Sequence, residues 1–386
     1  MRSDLFLLAI AEIKIYNTNI LRFIFHLNLE EEIQLPSAPK ISIIIPLYNS
    51  QKFIGTCIDS ILRQTFQDFE IIVVDDASRD GGLQFCGQRY QNEPRVKILQ
   101  HSRNRGECAA RNAGLSAAKG KYIYFMDDDD ALMPRALEVF YSIAEQSNAE
   151  VVHMTRWVDA QDENFTLSSK LRVKQRGEKD PSQRMLTQNL HERLLKEFID
   201  SGTYVTPWLN FFRHDFLYRN GIYFPNTTRQ SDVLHTFAAL CLAKSFAKID
   251  AGFYIRRIGN RSNELNASPE KHLRESLKSL PEMIKYMEEI FAKDLVSQLP
   301  RREQLQLEVN VIQMTMDSFV VQAYRKNIEL EIIDRIVAEE IAKHSINNPQ
   351  FVRIMFHALA FSNIARTLMA QRSMVLERQL RGGVNG

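Results

Sequence analysis

From Lys40 onward, short β-branched apolar runs alternate with longer stretches in which apolar residues recur every three or four positions. Ile41-Ser42-Ile43-Ile44-Ile45 is nearly continuous, stops at Pro46 and is followed by the turn residues Asn49-Ser50, which predicts a buried strand. Ile54, Ile58, Ile61 and Leu62 then share one face of a helix entered through Asn49 or Ser50. The next strand is Glu70-Ile71-Ile72-Val73-Val74, ending at Asp75-Asp76. A polar loop through Ser78, Asp80, Gly81 and Gly82 leads to a short helix and the strand Arg95-Val96-Lys97-Ile98-Leu99. After Arg103-Asn104-Arg105-Gly106, the small residues Ala109, Ala110, Ala113, Ala117 and Ala118 mark a helix. The strand Tyr122-Ile123-Tyr124-Phe125-Met126 follows and delivers Asp127-Asp128-Asp129-Asp130. Pro134 suits the first turn of another helix, with Leu137, Phe140, Tyr141 and Ala144 inward, and Val151-Val152 begin one more strand.

This alternation predicts an α/β fold with a doubly wound, mainly parallel sheet and helices on both faces. Ligands bind such sheets beyond the carboxyl ends of the strands. Asp75-Asp76 and Asp127 to Asp130 terminate different strands, so the fold itself should bring them to one crevice. Adjacent carboxylates repel one another, and partly burying them is costly unless a cation neutralises them. Hard oxygen ligands select Mg²⁺ or Mn²⁺, ions that keep positions open for nucleotide phosphates. The competing reading is a solvated acidic turn at a helix N-terminus, and it leaves the convergence of the two acidic groups unexplained. No G-x-G-x-x-G joins the first strand to its helix, which argues against a dinucleotide-binding Rossmann domain. Asp80, Gly81 and Gly82 serve the geometry of their own loop.

Composition changes this picture little: 386 residues, 45% hydrophobic and 25% charged, describe an ordinary globular chain. A formal charge of +2 provides no global field for nucleic acid, which is not expected as a partner. Cys57, Cys86, Cys108 and Cys241 are widely spaced without zinc-like spacing and suit buried thiols in a reducing compartment. The apolar run Leu5 to Ala11 is interrupted by Glu12 and Lys14, too short for a signal core. No uncharged apolar stretch reaches the length of a membrane span. The expected location is cytoplasmic, or peripheral at the inner face of the cytoplasmic membrane.

Five ordered blocks carry a resemblance to a known family. They are Ile43-Ile44-Ile45-Pro46-Leu47-Tyr48-Asn49, Gln64-Thr65-Phe66, Val74-Asp75-Asp76-Ala77-Ser78-Arg79-Asp80, Ala109-Ala110-Arg111-Asn112-Ala113-Gly114 and Met126-Asp127-Asp128-Asp129-Asp130. Together they resemble the family 2 glycosyltransferases, which implies the GT-A fold over a catalytic domain at 40–265, divided into a nucleotide-sugar half (40–158) and an acceptor half (159–265). Residues 1–39 are expected to be a helical extension ending in the linker Pro36-Ser37-Ala38-Pro39, and 266–386 a helical region. The resemblance implies that Pro46, Tyr48 and Asn49 line the nucleotide, and that Asp76 or Asp75 accepts from uracil N3. It implies Arg111 near the phosphates, Asp127 near the ribose and Asp129 as the metal ligand, with Asp127 a second ligand. Asp128 stands where the family commonly has Ser, and is expected to face water rather than tune the metal. Each position also has a plain structural reading: Asp75 and Asp76 as turn formers, Arg111 as an exposed helix residue, Tyr48 as core.

A weaker likeness to the acceptor half of bacterial members lies in Pro207-Trp208-Leu209-Asn210, Gly221-Ile222-Tyr223-Phe224-Pro225, Ser231-Asp232-Val233 and Tyr254-Ile255-Arg256-Arg257. It implies Asp232 as general base, deprotonating an acceptor hydroxyl, and Arg256 beside the leaving diphosphate. Ser231 replaces the common Glu, and Asn210 a frequent Lys. Trp208 is a candidate for stacking on an acceptor sugar, against a plain packing role. His235, one helical turn beyond Asp232, is read as a surface or core histidine rather than a metal or phosphate contact.

The implied function is inverting, metal-dependent transfer from a UDP-sugar to a hydroxyl of a glycan or lipid-linked glycan in lipopolysaccharide, capsule or exopolysaccharide synthesis. Two readings compete. A nucleotidyl or phosphoryl transferase would use similar carboxylates but should have a Gly-rich phosphate loop, and a catalytically weak nucleotide-sugar-binding homologue would fit Ser231 and Asn210 but not intact Asp127, Asp129 and Asp232. The tail from Phe351 sets five arginines against the single acid Glu377, beside Phe351, Ile354, Met355, Leu359, Phe361, Ile364 and Leu368. Such a surface suits an anionic membrane. The alternative is packing on the catalytic domain or on a second subunit, which would make a homo-oligomer.

Overall fold

The protein is represented by a computed structural model, which describes residues 38–160, 185–186, 206–227, 231–258 and 269–300 and helical positions 302, 304, 332, 335, 336, 339, 342 and 343. The chain divides into two compact units, Met1–Ala38 and Pro39–Gly386, and the architecture described here belongs to the second. Nearly all of the expected N-terminal extension, and the basic tail from Phe351, lie outside the described residues.

The first half of the unit winds as β1 (Ile41–Leu47), α1 (Gln51–Leu62), β2 (Phe69–Asp75), α2 (Gly82–Arg89), β3 (Val96–Gln100), α3 (Glu107–Ala117) and β4 (Tyr122–Phe125). Then come β5 (Ala131–Leu132), α4 (Ala136–Ser147), β6 (Val151–Met154), β7 (Val158–Ala160) and β8 (Met185–Leu186). The second half contributes β9 (Asn210–Arg213), α5 (His214–Asn220), α6 (Ser231–Leu242), β10 (Phe246–Ile249), β11 (Tyr254–Arg257), α7 (Pro269–Phe291) and α8 (Asp294–Ser297). Eight strands form one sheet in the order β3-β2-β1-β4-β9-β6-β10-β8, and β5-β11-β7 form a small second sheet. Among the described residues, no helix is long and apolar enough to cross a membrane.

Period-two patterning distributes the β1 side chains between two layers. Ile41, Ile43, Ile45 and Leu47 pack with Ile54, Ile58 and Ile61 of α1 and with Leu137 and Phe140 of α4. Ile44 on the other face joins Phe125, Phe212 and the α6 residues Leu234 and Phe237, and Ile72 and Val74 of β2 meet Ala110 of α3. Both faces are therefore covered, as the near-continuous apolar strands require. Three cysteines, Cys57, Cys86 and Cys241, are buried and outside any disulfide, while Cys108 is only partly buried.

One feature adds to the sequence expectation and one differs from it. Strand β9 runs antiparallel between β4 and β6 and pairs with both, so segments 40–158 and 159–265 share one sheet. Its Phe211 and Phe212 are 1% and 0% exposed, each worth about 1.5–3 kcal/mol of burial, and this anchors the inverted strand. Pro134 precedes α4 rather than occupying its first turn. The chain before it is still extended, because Ala131 and Leu132 pair with β11. Gln64 fastens the junction, its Nε2 donating to Met133 O (2.8 Å) and its Oε1 accepting from Leu137 N (3.1 Å).

Helix α3 sits close on β1 because its contact side is made of small residues. A Cβ at Gly114 would collide with Cγ2 of Ile44 in the core of the sheet. Gly114→Ala is therefore expected to cost about 1–3 kcal/mol through overpacking, visible as a Tm lowered by about 2–4 °C per kcal/mol in thermal unfolding; an unchanged Tm would show that α3 is not seated this closely.

Candidate functional site

Parallel register aligns the strand ends. Leu47 lies opposite Asp75, Asp75 opposite Gln100, and Ile44 opposite Phe125. The segments after β1, β2, β3 and β4 thus emerge together at the carboxyl edge of the sheet, where the two acidic groups were expected to meet. Asn49 ties the first two loops: its backbone N–H donates to Ser78 Oγ (3.1 Å) and its side-chain oxygen accepts from Arg79 N (2.8 Å). Pro46 is buried within β1, whereas Tyr48 is 40% exposed.

Asp75 and Asp76 are both buried, and they organise loops. Asp75 accepts from Ser78 N at 3.3 Å, closing the turn after β2. Asp76 Oδ1 meets His101 Nδ1 (2.7 Å) and Arg105 N (2.9 Å), while Oδ2 accepts from Arg105 N (3.1 Å) and Gly106 N (2.7 Å). The carboxylate thereby shapes the 101–106 loop. Gly106, at φ +87°, adopts the backbone that lets its N–H turn toward Asp76 and start α3.

Arg111 is 1% exposed, not an exposed helix residue. Nη1 donates to Asp232 Oδ1 (2.6 Å), and Nη2 reaches Asp127 Oδ1 (2.8 Å) and Glu107 Oε1 (2.6 Å). These three carboxylates hold its pKa well above the ordinary arginine value despite the opposing effect of burial. The same guanidinium thus joins the acidic run after β4 to the candidate base on α6.

Within the acidic run each carboxylate has its own setting. Asp128 does not simply face water: it accepts from Tyr48 N (3.1 Å) and from the Ser50 hydroxyl. Asp130, 2% exposed, accepts from Tyr254 Oη (2.6 Å) and Arg257 N (2.7 Å). Burial, then neighbouring carboxylates, raise both well above the usual Asp range. Asp232 is also raised, by burial first, with Arg111 pulling it down and Asp127 adding to the rise.

Three other residues have settings that decide how they act. Arg256 pairs with Asp159 (2.9 Å) on β7 and lies over Trp157, while Arg257, 3% exposed, donates from Nε to Asp129 O (2.9 Å). The arginine against the acidic run is therefore Arg257. Trp208, 5% exposed, stacks on Tyr254 with ring centroids 4.3 Å apart, so its ring is packed rather than offered to an acceptor. His235 is a core histidine, stacked on Phe224 at 4.1 Å and pushed down to about 3 by burial, hence neutral.

Sequence reasoning missed His101, Glu107, Tyr254 and Arg257. Only Glu107 carried a local signal, its i,i+4 spacing from Arg111.

Among the described residues no group of three or more His, Cys, Asp or Glu side chains converges as a ready-made metal site. The donor set nevertheless fits Mg²⁺ or Mn²⁺. Asp127 and Asp129 are partly exposed and supply hard oxygens beside two further carboxylates, Asp128 and Asp130. Two protein ligands leave the remaining positions to phosphate oxygens and water, as these ions favour.

Residues 42–214 match the family described as Glycosyl transferase family 2. The chain is similar to "Glycosyltransferase GlyG" of Streptococcus pneumoniae serotype 4 (strain ATCC BAA-334 / TIGR4), 29% identical over 224 residues that cover 57% of this chain and 72% of that one. It is 38% identical over 115 residues to "Poly(ribitol-phosphate) beta-glucosyltransferase" of Bacillus spizizenii (strain ATCC 23059 / NRRL B-14472 / W23), covering 29% of this chain and only 18% of that protein. Among solved structures, S. aureus TarS 1–349 in complex with UDP-GlcNAc shares the fold with a TM-score of 0.60 and 21% identity, covering 89% of this chain and 92% of that one.

Asp128 provides a pH test. Its folded pKa is raised, so the fold favours the protonated form; the stability this confers is complete below about pH 4 and is lost as pH rises through the folded value. In chelator-treated protein, Asp128→Asn is therefore expected to gain stability relative to wild type between pH 4 and 7, in urea titrations at each pH. A difference that stays flat across this window would show that Asp128 is an ordinary solvated carboxylate.

Proposed function

We propose that the chain is a family 2 glycosyltransferase of GT-A fold, a reading supported by the match of residues 42–214 to that family and by the fold it shares with TarS, and that it moves a sugar from a UDP-sugar to a hydroxyl of a glycan, with inversion at the anomeric carbon. The observation that carries this reading is the bridge of Arg111 between Asp127, at 2.8 Å, and Asp232, at 2.6 Å. A donor-side carboxylate and a base-side carboxylate are thereby held at one place. A single displacement requires this arrangement, since the acceptor hydroxyl must lose its proton while attacking opposite the leaving diphosphate.

Asp232 takes the role of general base, its raised pKa improving its match to a hydroxyl proton. Asp129 and Asp127 would hold a divalent ion, which when bound supplies charge stabilisation to the leaving diphosphate. Tyr48 and Asn49 form the rim of the nucleotide pocket. Asp75 and Asp76 build its walls through the loops they organise, and Arg257 braces the acidic run through Asp129 O. A polysaccharide acceptor is supported by likeness to a protein named a poly(ribitol-phosphate) glucosyltransferase, and a UDP-sugar donor by fold likeness to a protein solved with UDP-GlcNAc.

A panel of nucleotide-sugars with and without Mn²⁺, scored by nucleoside diphosphate release and thermal shift, tests this reading. Release from one UDP-sugar that requires the ion is expected, and absence of both release and thermal shift across the panel would sink it. Asp129→Ala should abolish the metal-dependent release with the fold intact. Asp232→Asn should lower kcat by about 10²–10⁴ with UDP affinity nearly unchanged; equal losses in both would make Asp232 structural.

A further inference from the structure

Arg111 stands out as the buried charge whose arrangement no phosphate contact explains. It is 1% exposed, and both terminal nitrogens are taken by carboxylates from three different elements: Glu107 on α3, Asp127 after β4 and Asp232 on α6. Nε has no hydrogen-bond partner among the described residues. The guanidinium is thus held by its fork alone. A lysine ammonium, a point charge without that fork, cannot span two carboxylates with the same geometry.

The orientation of the fork has its own support. The guanidinium lies 5.2 Å from the centroid of the Phe224 ring, and that ring stacks at 4.1 Å and 5° on His235, one helical turn beyond Asp232. His235 in turn meets Phe125 and Phe212 edge-on at 5.4 and 5.2 Å. Burial keeps the imidazole neutral, so it supports the stack without repelling Arg111. A rigid aromatic shelf therefore runs from the sheet through α6 to the plane of the guanidinium.

We propose that Arg111 is a positioning residue for the base. It acts through Asp232, fixing that carboxylate relative to Asp127, and does not itself contact the donor. This rests on the reading of Asp232 as the general base. Donor binding falls to the rim and the acidic run, whereas kcat depends on the Arg111–Asp232 pair.

A double-mutant cycle tests it, using the UDP-sugar that the panel selects, kcat from UDP release and UDP affinity from calorimetry with Mn²⁺ present. Arg111→Met is expected to lower kcat by about 100-fold with UDP affinity changed less than about 3-fold, and Arg111→Lys to recover only part of the loss. In the Asp232→Asn background the same Arg111→Met change should lower kcat by less than about 3-fold further, because residues that act as a unit are not additive. An undiminished loss in that background, or lost UDP affinity with kcat unchanged, would overturn the proposal while leaving the base assignment standing. An Asp232→Asn variant with unchanged kcat would instead remove the base assignment, and the proposal with it. Should Arg111→Met lack a cooperative thermal transition, Arg111→Lys is carried through the same cycle and read by the same criteria.

Discussion

One ion network governs the crevice: a buried guanidinium joined to three carboxylates at the carboxyl edge of a buried sheet. Breaking such a network by removing one partner leaves an uncompensated charge in a low-dielectric place, at a cost of several kcal/mol. The elements that deliver its members are therefore tied together. Helix α3 supplies Arg111 and Glu107, the segment after β4 supplies Asp127, and α6 supplies Asp232. Gly114 permits the close seating of α3, the helix that carries Arg111, on β1.

Around this network the site is built in two tiers. Carboxylates that are fully engaged shape the loops: Asp76 through His101, Arg105 and Gly106, and Asp130 through Tyr254 and Arg257. Asp127, Asp128 and Asp129 are left partly exposed. Burial first, and neighbouring carboxylates second, lift Asp128 and Asp130 above their usual range. The four consecutive aspartates at this strand end therefore have different settings.

Local patterning made much of the first half legible. Strands β1 to β4 and their helices could be read because apolar runs and period-four faces are properties of neighbouring residues. The acidic strand ends followed from the parallel topology that such runs imply. Strand β9 was harder: four residues with no alternation of their own enter the sheet only because a gap between β4 and β6 accepts Phe211 and Phe212. The choice between Arg256 and Arg257 illustrates the same limit. They are neighbours in sequence, yet Arg256 meets Asp159 across the strand pair β11–β7, whereas Arg257 turns to the acidic run.

By itself, the sequence determined the α/β class, the order of the first strands and helices, the placing of Asp75-Asp76 and Asp127 to Asp130 at strand ends and the resemblance to the family 2 glycosyltransferases, because all of these are written in local periodicity and short ordered motifs. Tertiary structure alone decided which carboxylates are engaged and which remain open. It buried Arg111 between Asp127 and Asp232, turned Trp208 inward onto Tyr254, and made His235 part of an aromatic shelf. Those outcomes depend on contacts between residues up to 127 positions apart, and burial, hydrogen bonding and the pKa of a charge are set by what such contacts bring beside it, not by its neighbours along the chain.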